Sequence, residues 1–523
     1  MIVVPVHTLA SVMTSALPAL AAAVLLVGPL ALAMEGSTRS QPNILFVAVD
    51  DLNDWAIGGH PNVRTPHLDR LRARGVTFTN AHCASPSCHP SRVSVMTGVR
   101  PSTSGIDHNV YGRPQATWRT GPESGTGALA RAVVLSQCFR NHGYRALGTG
   151  KIFHGLQWAD GSENEPEAWD DYFPSAREQI PFQPRPADLV DDDGAGIIGQ
   201  RPLGGDTGRR GQVFGAHPIQ LPDEKMSDHQ VVDWASAQLA KPRAQPLFLA
   251  VGLFRPHMPW EVPQKYFDLY PLADITRPRV LANDLADTHG HNRQDWHAWV
   301  LANEAKFQIW ERLIQGYQAS ITFADAQLGR LLDVLEASPE RDRTIIVFWS
   351  DQGMHFGEKE NWEKFTLWER STRVPLVIVA PGVARPGAQV AAPASLIDIY
   401  PTLCELAGLA APAQCEGTSL VPQLRDPAAR RVMPAITTQT QGRQSGHAVR
   451  DARWRYIRYF DGFEELYDHA RDPDEFHNLA ADPKFAAEKT RLRGWLENVR
   501  APLDGRYLRA DGTPLPRPKA GKK

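Results

Sequence analysis

The sequence predicts an α/β fold: a large, mostly parallel sheet flanked by helices, then a smaller subdomain built on an antiparallel sheet. Three observations predict it. Short apolar runs of buried-strand type alternate with helical patterns from Asn43 to about Ala407. Two of those runs lead directly into acids, Asp50 and Asp351. After about Pro422 the pattern changes to short alternating runs.

The elements follow in order. Asn43 to Val49 (NILFVAV) reads as a strand buried on both faces. Thr65-Pro66 opens a helix through Arg74, with proline at its first position and Gly75 past its end. Leu247 to Leu253 (LFLAVGL) is a second strand. Periodicity predicts a long helix over Arg312 to Glu336, then a strand at Thr344 to Trp349. Another strand is expected at Pro375 to Val379 and a helix at Leu396 to Ala407. Gly446 to Asp468 (HAVRD, WRYIRYF, EELYD) reads as antiparallel sheet. Phe182 to Gly215 and Ala282 to Asp295 read as long surface loops. The expected organisation is therefore a leader over 1–33, a catalytic domain over 41–421, a C-terminal subdomain over 422–510 and a disordered tail over 511–523. In a sheet of this kind the site sits off the carboxyl ends of the strands.

A composition of 42% hydrophobic and 22% charged residues over 523 positions is that of a globular chain with a large core. The net charge of -2 provides no global basic field, so nucleic acid is not an expected partner. Ala16 to Ala33 is almost wholly apolar, broken by Pro18, Gly28 and Pro29, and ends in Ala31-Leu32-Ala33. That is a secretory signal rather than a stable membrane span, and it predicts export to the periplasm or beyond. The segment before it carries His7 but no Lys or Arg, so a start at Met34 is the alternative. Five cysteines, an odd number, leave one over in an exported chain. Cys404 and Cys415 are close enough in sequence to bridge; buried free thiols are the alternative.

The chemistry concentrates at the strand ends. Asp50-Asp51, and Asp351 with Gln352, offer oxygen ligands to one crevice, which suits a hard cation such as Ca²⁺, with Mg²⁺ second. No thiolate accompanies them, so zinc is less favoured. Turn and cap roles for these acids are the plainer reading of each pair alone. The second signal is Cys88-His89-Pro90-Ser91-Arg92, inside SPSCHPSRVSVMTG. Pro90 suits the first turn of a helix running to Met96 and ended by Thr97-Gly98. Residue 88 would then lie at a helix N-terminus, which favours an anion, with Arg92 one turn on along the same face.

This segment resembles the C-x-P-S-R signature of the type I sulfatases, whose cysteine is oxidised to Cα-formylglycine. Four such fixed residues arise by chance in a chain of this composition with a probability on the order of 0.002. Other segments match in order: Gly150-Lys151-Ile152-Phe153-His154, Arg255-Pro256-His257-Met258-Pro259, Asp351-Gln352-Gly353 with Gly357-Glu358 and Lys364, and Leu396 to Leu403. The likeness runs over residues 41 to 480 and leans toward the iduronate-2-sulfatase branch. Gln352 departs from it, standing where many relatives have Asn or His.

The resemblance implies the alkaline-phosphatase-like fold and hydrolysis of sulfate esters. It implies a Ca²⁺ site from Asp50, Asp51, residue 88, Asp351 and Gln352. Formylglycine 88, hydrated, would attack sulfur and later expel sulfate. Arg92 would orient it or balance the acids. Lys151 and Lys364 would hold the sulfate group, His154 would help expel it, and His257 would protonate the leaving oxygen. Conversion of Cys88 would leave four cysteines and requires a maturation enzyme as partner. His108 and His355 are possible substrate contacts; Asp191-Asp192-Asp193 reads as solvated loop. Substrate specificity, for a sulfated small molecule or saccharide, is expected in the loops around Ile106 to Arg113, Leu156 to Gly215 and Trp260 to Arg293. Two alternatives share the fold: a phosphonate or phosphodiester hydrolase, and a catalytically silent binder of sulfated glycans.

Overall fold

The computed structural model describes residues 41–109, 126–154, 166–173, 215–291, 294–440, 442–499 and 501–504. The expected leader, Asp191-Asp192-Asp193, most of the loop from Phe182, and the tail from Asp511 lie outside the described residues. From Gln41 onward the chain is one compact unit.

In chain order the elements that place the site are β1 (Asn43–Val49), α1 (Pro66–Arg74), β2 (Val76–Phe78), α2 (Cys88–Thr97), α3 (Leu135–Asn141), β3 (Arg145–Gly150), β4 (Asp171–Phe173), α4 (Ser227–Leu239), β5 (Leu247–Leu253), α5 (Ile309–Glu336), β6 (Thr344–Ser350), β7 (Leu376–Val379), β8 (Gln389–Val390) and α6 (Ile399–Leu406). The eight strands form one sheet in the order β8-β2-β7-β6-β1-β5-β3-β4. The five strands from β6 to β4 are parallel. The sheet as a whole is mixed, because β7 runs antiparallel to both its neighbours. A short connection of Asp351 to Pro375 turns the chain back beside β6 without a crossover helix, which only an antiparallel return permits.

Alternation along β1 explains its unbroken apolar sequence. Leu45, Val47 and Val49 enter one core, with Leu68 and Leu71 of α1, Val231 and Ala235 of α4, and the apolar side of α5. Ile44, Phe46 and Ala48 enter the opposite core, with Val93 and Met96 of α2, Phe139 of α3 and Leu403 of α6. A strand covered on both faces has no polar side to show.

β9 (Ala435–Gln439), β10 (Gly446–Arg450), β11 (Trp454–Tyr459) and β12 (Glu464–Asp468) form an antiparallel sheet in sequence order. One face packs on α7 (Ala486–Asn498) through Val449, Tyr456, Leu466 and Leu492. The other face, through Ala448, Ile457, Tyr459 and Tyr467, packs on Leu367 and Trp368. Those two residues lie three and four positions after Lys364, so this sheet braces the turn that carries Lys364.

Candidate active site

Four adjacent parallel strands deliver residues to one crevice at their carboxyl ends. β6 leads to Asp351, β1 to Asp50 and Asp51, β5 to Phe254 and the turn carrying His257, and β3 to Lys151. Asp50, Asp51, Asp351 and Gln352 are fully buried. The Asp51 backbone is left-handed, at φ 61°, a conformation that Asp tolerates better than most residues. Its N–H donates to Asp351 Oδ1 at 3.0 Å, which ties the two strand ends together.

Burial alone would raise every one of these acids. At Asp50 it is outweighed by Lys151, His257, Arg92 and Lys364, which hold the carboxyl well below its ordinary range. At Asp351 burial wins, helped by Asp50 and Asp51 against Arg92, and the carboxyl is pushed up to about 7. Arg92 is itself fully buried and binds both strand ends, through Nε to Asp351 Oδ2 at 2.7 Å and Nη2 to Asp50 Oδ1 at 3.1 Å. Its Nη1 donates to the carbonyls of Lys151 and Ile152.

Arg92 reaches that position because α2 begins at residue 88. Gly98, at φ 73°, ends the helix in a left-handed cap. Ser91 Oγ donates to the Asp351 carbonyl at 2.6 Å and fixes the helix start against β6. Asn109 Oδ1 accepts from Ser87 Oγ at 2.7 Å and from the His89 N–H at 2.8 Å. Cys88 Sγ accepts from Lys364 Nζ and from Gln352 Nε2, each at 3.2 Å. Burial pushes the Cys88 thiol up to about 12, so near neutrality it is a protonated and poor nucleophile.

Lys151 lies in the crevice because of two glycines. Gly150 is left-handed at φ 70°, and a Cβ there would meet the Gly252 carbonyl at 2.0 Å. A Cβ on Gly252 would meet the Lys151 carbonyl at 2.2 Å. The ammonium of Lys151 bonds Asp50, and that of Lys364 bonds Asp51. Burial would lower Lys364, but Asp51 above all keeps it well above the ordinary lysine range. Its neighbours Glu363 and Phe365 both have positive φ, 70° and 72°, so the backbone is locally strained to present it. His257 donates Nδ1–H to the Met258 carbonyl at 2.6 Å, which leaves Nε2 facing Asp51 Oδ2 at 3.6 Å. Burial lowers this imidazole to about 4 against the pull of Asp51. His154 follows Lys151 at the crevice mouth and is held well below 6.5 by burial and by Lys151.

With this geometry in view, comparison with known proteins is decisive. A profile for the family described as Sulfatase matches residues 42–409. The chain belongs to the sulfatase family. A second profile, N-sulphoglucosamine sulphohydrolase, C-terminal, matches residues 357–502. A sulfatase of Formosa agariphila is 40% identical over 475 residues, 89% of this chain and 88% of that protein. Human iduronate 2-sulfatase is 29% identical over 426 residues, 72% of this chain and 71% of that protein. Among solved structures, a phosphonate monoester hydrolase from Silicibacter pomeroyi superposes with a TM-score of 0.68 at 23% identity, covering 90% of this chain and 98% of that one. That likeness shows the shared alkaline-phosphatase-like fold. The protein is a type I sulfatase, a sulfuric ester hydrolase.

The sulfatase fold brings all ten expected residues into this crevice: Asp50, Asp51, Cys88, Arg92, Lys151, His154, His257, Asp351, Gln352 and Lys364. His355 departs from expectation. It is 1% exposed and spent internally, on the Glu358 carbonyl at 3.1 Å and Thr366 Oγ1 at 2.8 Å, so it is no substrate contact. Of the two readings the sequence leaves open for Cys404 and Cys415, the structure has the free thiols. Cys404 is buried in the same apolar core as Cys138, near enough for the two thiols to interact. Sequence reasoning missed three supports of the site. Ser91 was a fixed residue of the motif without an assigned role. Asn109 lay in a loop expected to set specificity but carried no signal of its own. Asp228, near the start of α4, accepts from the Phe254 and Arg255 N–H groups, each at 2.8 Å, and so holds the His257 turn.

The donor set fits a hard cation. Asp51 Oδ2 and Gln352 Oε1 are buried and meet no hydrogen-bond partner. Carboxylate oxygens of Asp50 and Asp351 cluster with Cys88 Sγ within 4.8 Å of one another, and so do Asp51, Cys88 and His257. A buried oxygen left without a donor is costly, and a cation bound to it removes that cost.

Proposed function

We propose that this sulfatase hydrolyses the sulfate ester of a saccharide, using formylglycine at position 88 and one Ca²⁺. The observation that carries this reading is the surroundings of Cys88 Sγ. It touches Lys364 and Gln352 at 3.2 Å and lies within 4.8 Å of carboxylate oxygens from both strand ends. Cys88 Sγ stands in for the aldehyde oxygen that residue 88 would carry in the active enzyme. Conversion to formylglycine supplies the nucleophile, a hydrated aldehyde whose hydroxyl displaces the alcohol from sulfur. A divalent cation would be held by Asp50, Asp51, Asp351, Gln352 and residue 88, and would supply positive charge to the sulfuryl oxygens.

The chain's own groups do the rest. The ammonium groups of Lys151 and Lys364 bind the sulfuryl oxygens on either side of residue 88. Arg92 fixes both strand ends and the helix start, so the acids and the nucleophile keep one geometry. His257, its Nδ1–H committed to Met258, gives a proton from Nε2 to the departing alcohol oxygen. An anionic ester beside it favours that protonated form and opposes the burial that lowers it. His154 accepts the proton released when sulfate is expelled. The likeness to human iduronate 2-sulfatase supports a sulfated hexuronate as the saccharide. Export and a formylglycine-forming maturation enzyme complete this reading. Among the described residues no helix is long and apolar enough to cross a membrane.

Mass spectrometry of the tryptic peptide carrying residue 88, paired with kinetics on an aryl sulfate, a phosphodiester and a phosphonate, tests the reading. The expected result is an aldehyde at 88 and a strong preference for sulfate. A thiol in every preparation, coexpression with a maturation enzyme included, would overturn it. So would a large preference for phosphonate, the substrate class of the Silicibacter neighbour.

A further inference from the structure

His89 occupies the variable position of the C-x-P-S-R motif, so maturation of residue 88 does not dictate its identity. Its backbone is pinned, since the N–H donates to Asn109 Oδ1 at 2.8 Å. Its ring is not spent. Nε2 is enclosed and meets no hydrogen-bond partner. The ring lies edge-on to His154, with centroids 5.9 Å apart and planes at 66°. His108 is also near enough to influence the ring electrostatically. His108 in turn bonds Asp107 at 2.9 Å.

Exposure rises along this row. Cys88 and Lys151 are 1% and 3% exposed, His89 and His154 are partly exposed, and the His108 side chain is 47% exposed. The His89 and His154 rings thus lie next to the buried residues 88 and 151, and His108 is more exposed than either. His89 Nε2 is a buried ring nitrogen without a protein partner, one residue from the nucleophile position, and an oxygen of the group that bears the ester would satisfy it. Imidazoles hydrogen-bond oxygen and present a flat face, the pairing that a sugar ring with its hydroxyls or carboxylate requires.

We propose that His89, continued outward by His108, forms the subsite for the sugar ring that carries the scissile sulfate, binding a hydroxyl or carboxylate oxygen of that ring. This rests on the sulfatase reading given above. The probes are a 2-O-sulfated iduronate disaccharide and 4-nitrophenyl sulfate, which has no sugar. Rates are taken per formylglycine at residue 88, measured by mass spectrometry, so that a maturation defect is not mistaken for a binding one.

In His89→Ala, the ratio of kcat/KM for the disaccharide to that for the aryl sulfate is expected to fall about tenfold, chiefly through KM, as for one lost substrate hydrogen bond. His89→Gln, which keeps a side-chain amide, should recover part of the ratio. His108→Ala should lower it about threefold, since an exposed contact is worth less. An unchanged ratio in His89→Ala overturns the subsite. So does a wild-type enzyme that cleaves the aryl sulfate but not the disaccharide. If formylglycine-bearing wild type releases sulfate from neither probe, the function reading itself fails.

Discussion

Among the described residues, two buried clusters of charge are built to opposite ends. The crevice sets Asp50, Asp51 and Asp351 against Arg92, Lys151 and Lys364. The second cluster, beneath the C-terminal sheet, sets Glu369 and Glu475 against Arg450, Arg455 and His469. Each contains acids close enough to share an ion. In the second, burial is outweighed at both acids: Arg450, His469 and Arg455 hold Glu369 well below its ordinary range, and Arg455 with His469 lowers Glu475. In the crevice Asp351 is left at about 7 and Asp51 Oδ2 has no donor. The first cluster therefore leaves one acid raised and one carboxylate oxygen unpaired despite its three cations. The second is closed by guanidinium groups that anchor the turn after Lys364, with Arg455 also holding the Leu367 carbonyl at 2.9 Å. Buried charge marks a reactive site where an acid is left raised by its neighbours, and a scaffold where cations outweigh burial at each acid.

The largest test of that contrast is chemical. Cys88→Ala should lower sulfatase kcat by at least about 10⁴-fold, the loss typical of a missing nucleophile, while the melting temperature stays within a few degrees. Folded Glu369→Gln protein should keep most of its activity per molecule; an equal loss there would erase the distinction. Next in size, Arg455→Met strands two buried glutamates and should cost about 3–5 kcal/mol of stability in a urea titration. A cost under about 1 kcal/mol would show that the second cluster is no scaffold.

Calcium separates the clusters directly. At about one hundred times its dissociation constant, Ca²⁺ should stabilise the protein by about 2.7 kcal/mol. Asp351→Asn should abolish that shift in thermal denaturation, and Glu475→Gln should retain it; the reverse pattern would move the cation to the wrong cluster. The smallest effect concerns pH. Burial lowers His447, in the C-terminal sheet, to about 4. Its Nε2–H donates to the Pro502 carbonyl and Nδ1 accepts from Thr438, so the folded ring is neutral. Between about pH 6.5 and 4 the unfolded chain binds a proton that the folded chain does not, so stability falls as pH falls. From pH 7 to 5 this one group should contribute ~2 kcal/mol of the loss, and His447→Asn should flatten the unfolding free energy by that amount.

Much of this was legible along the chain because its signals are local. β1 and β5 have the bounds that their apolar runs predict, and α1 begins at Pro66 and ends before Gly75 as expected. β3 was not legible. Its sequence, RALGTG, lacks an apolar run, since Gly148 and Gly150 are there to admit Tyr172 and the Gly252 carbonyl rather than to pack. β9 was missed for a similar reason: AITTQ is polar at three of five positions yet wholly buried. The long helix begins at Ile309, three residues before the predicted Arg312, because Trp310 is buried against Trp362 rather than along the periodic stripe.

The sequence by itself determined the family, the order of the reactive residues, and the strand ends on which most of them sit. These depend on a short motif and on runs of a few residues, which need no distant partner. Tertiary structure alone decided that residues as far apart as Asp50 and Lys364 share one crevice, since parallel strands bring their carboxyl ends to a single edge of the sheet. It also decided that β7 turns back antiparallel and that Cys404 lies with Cys138. Only there does the C-terminal sheet prove to hold the turn carrying Lys364. Contacts of that kind depend on packing between elements hundreds of residues apart, and no local pattern encodes them.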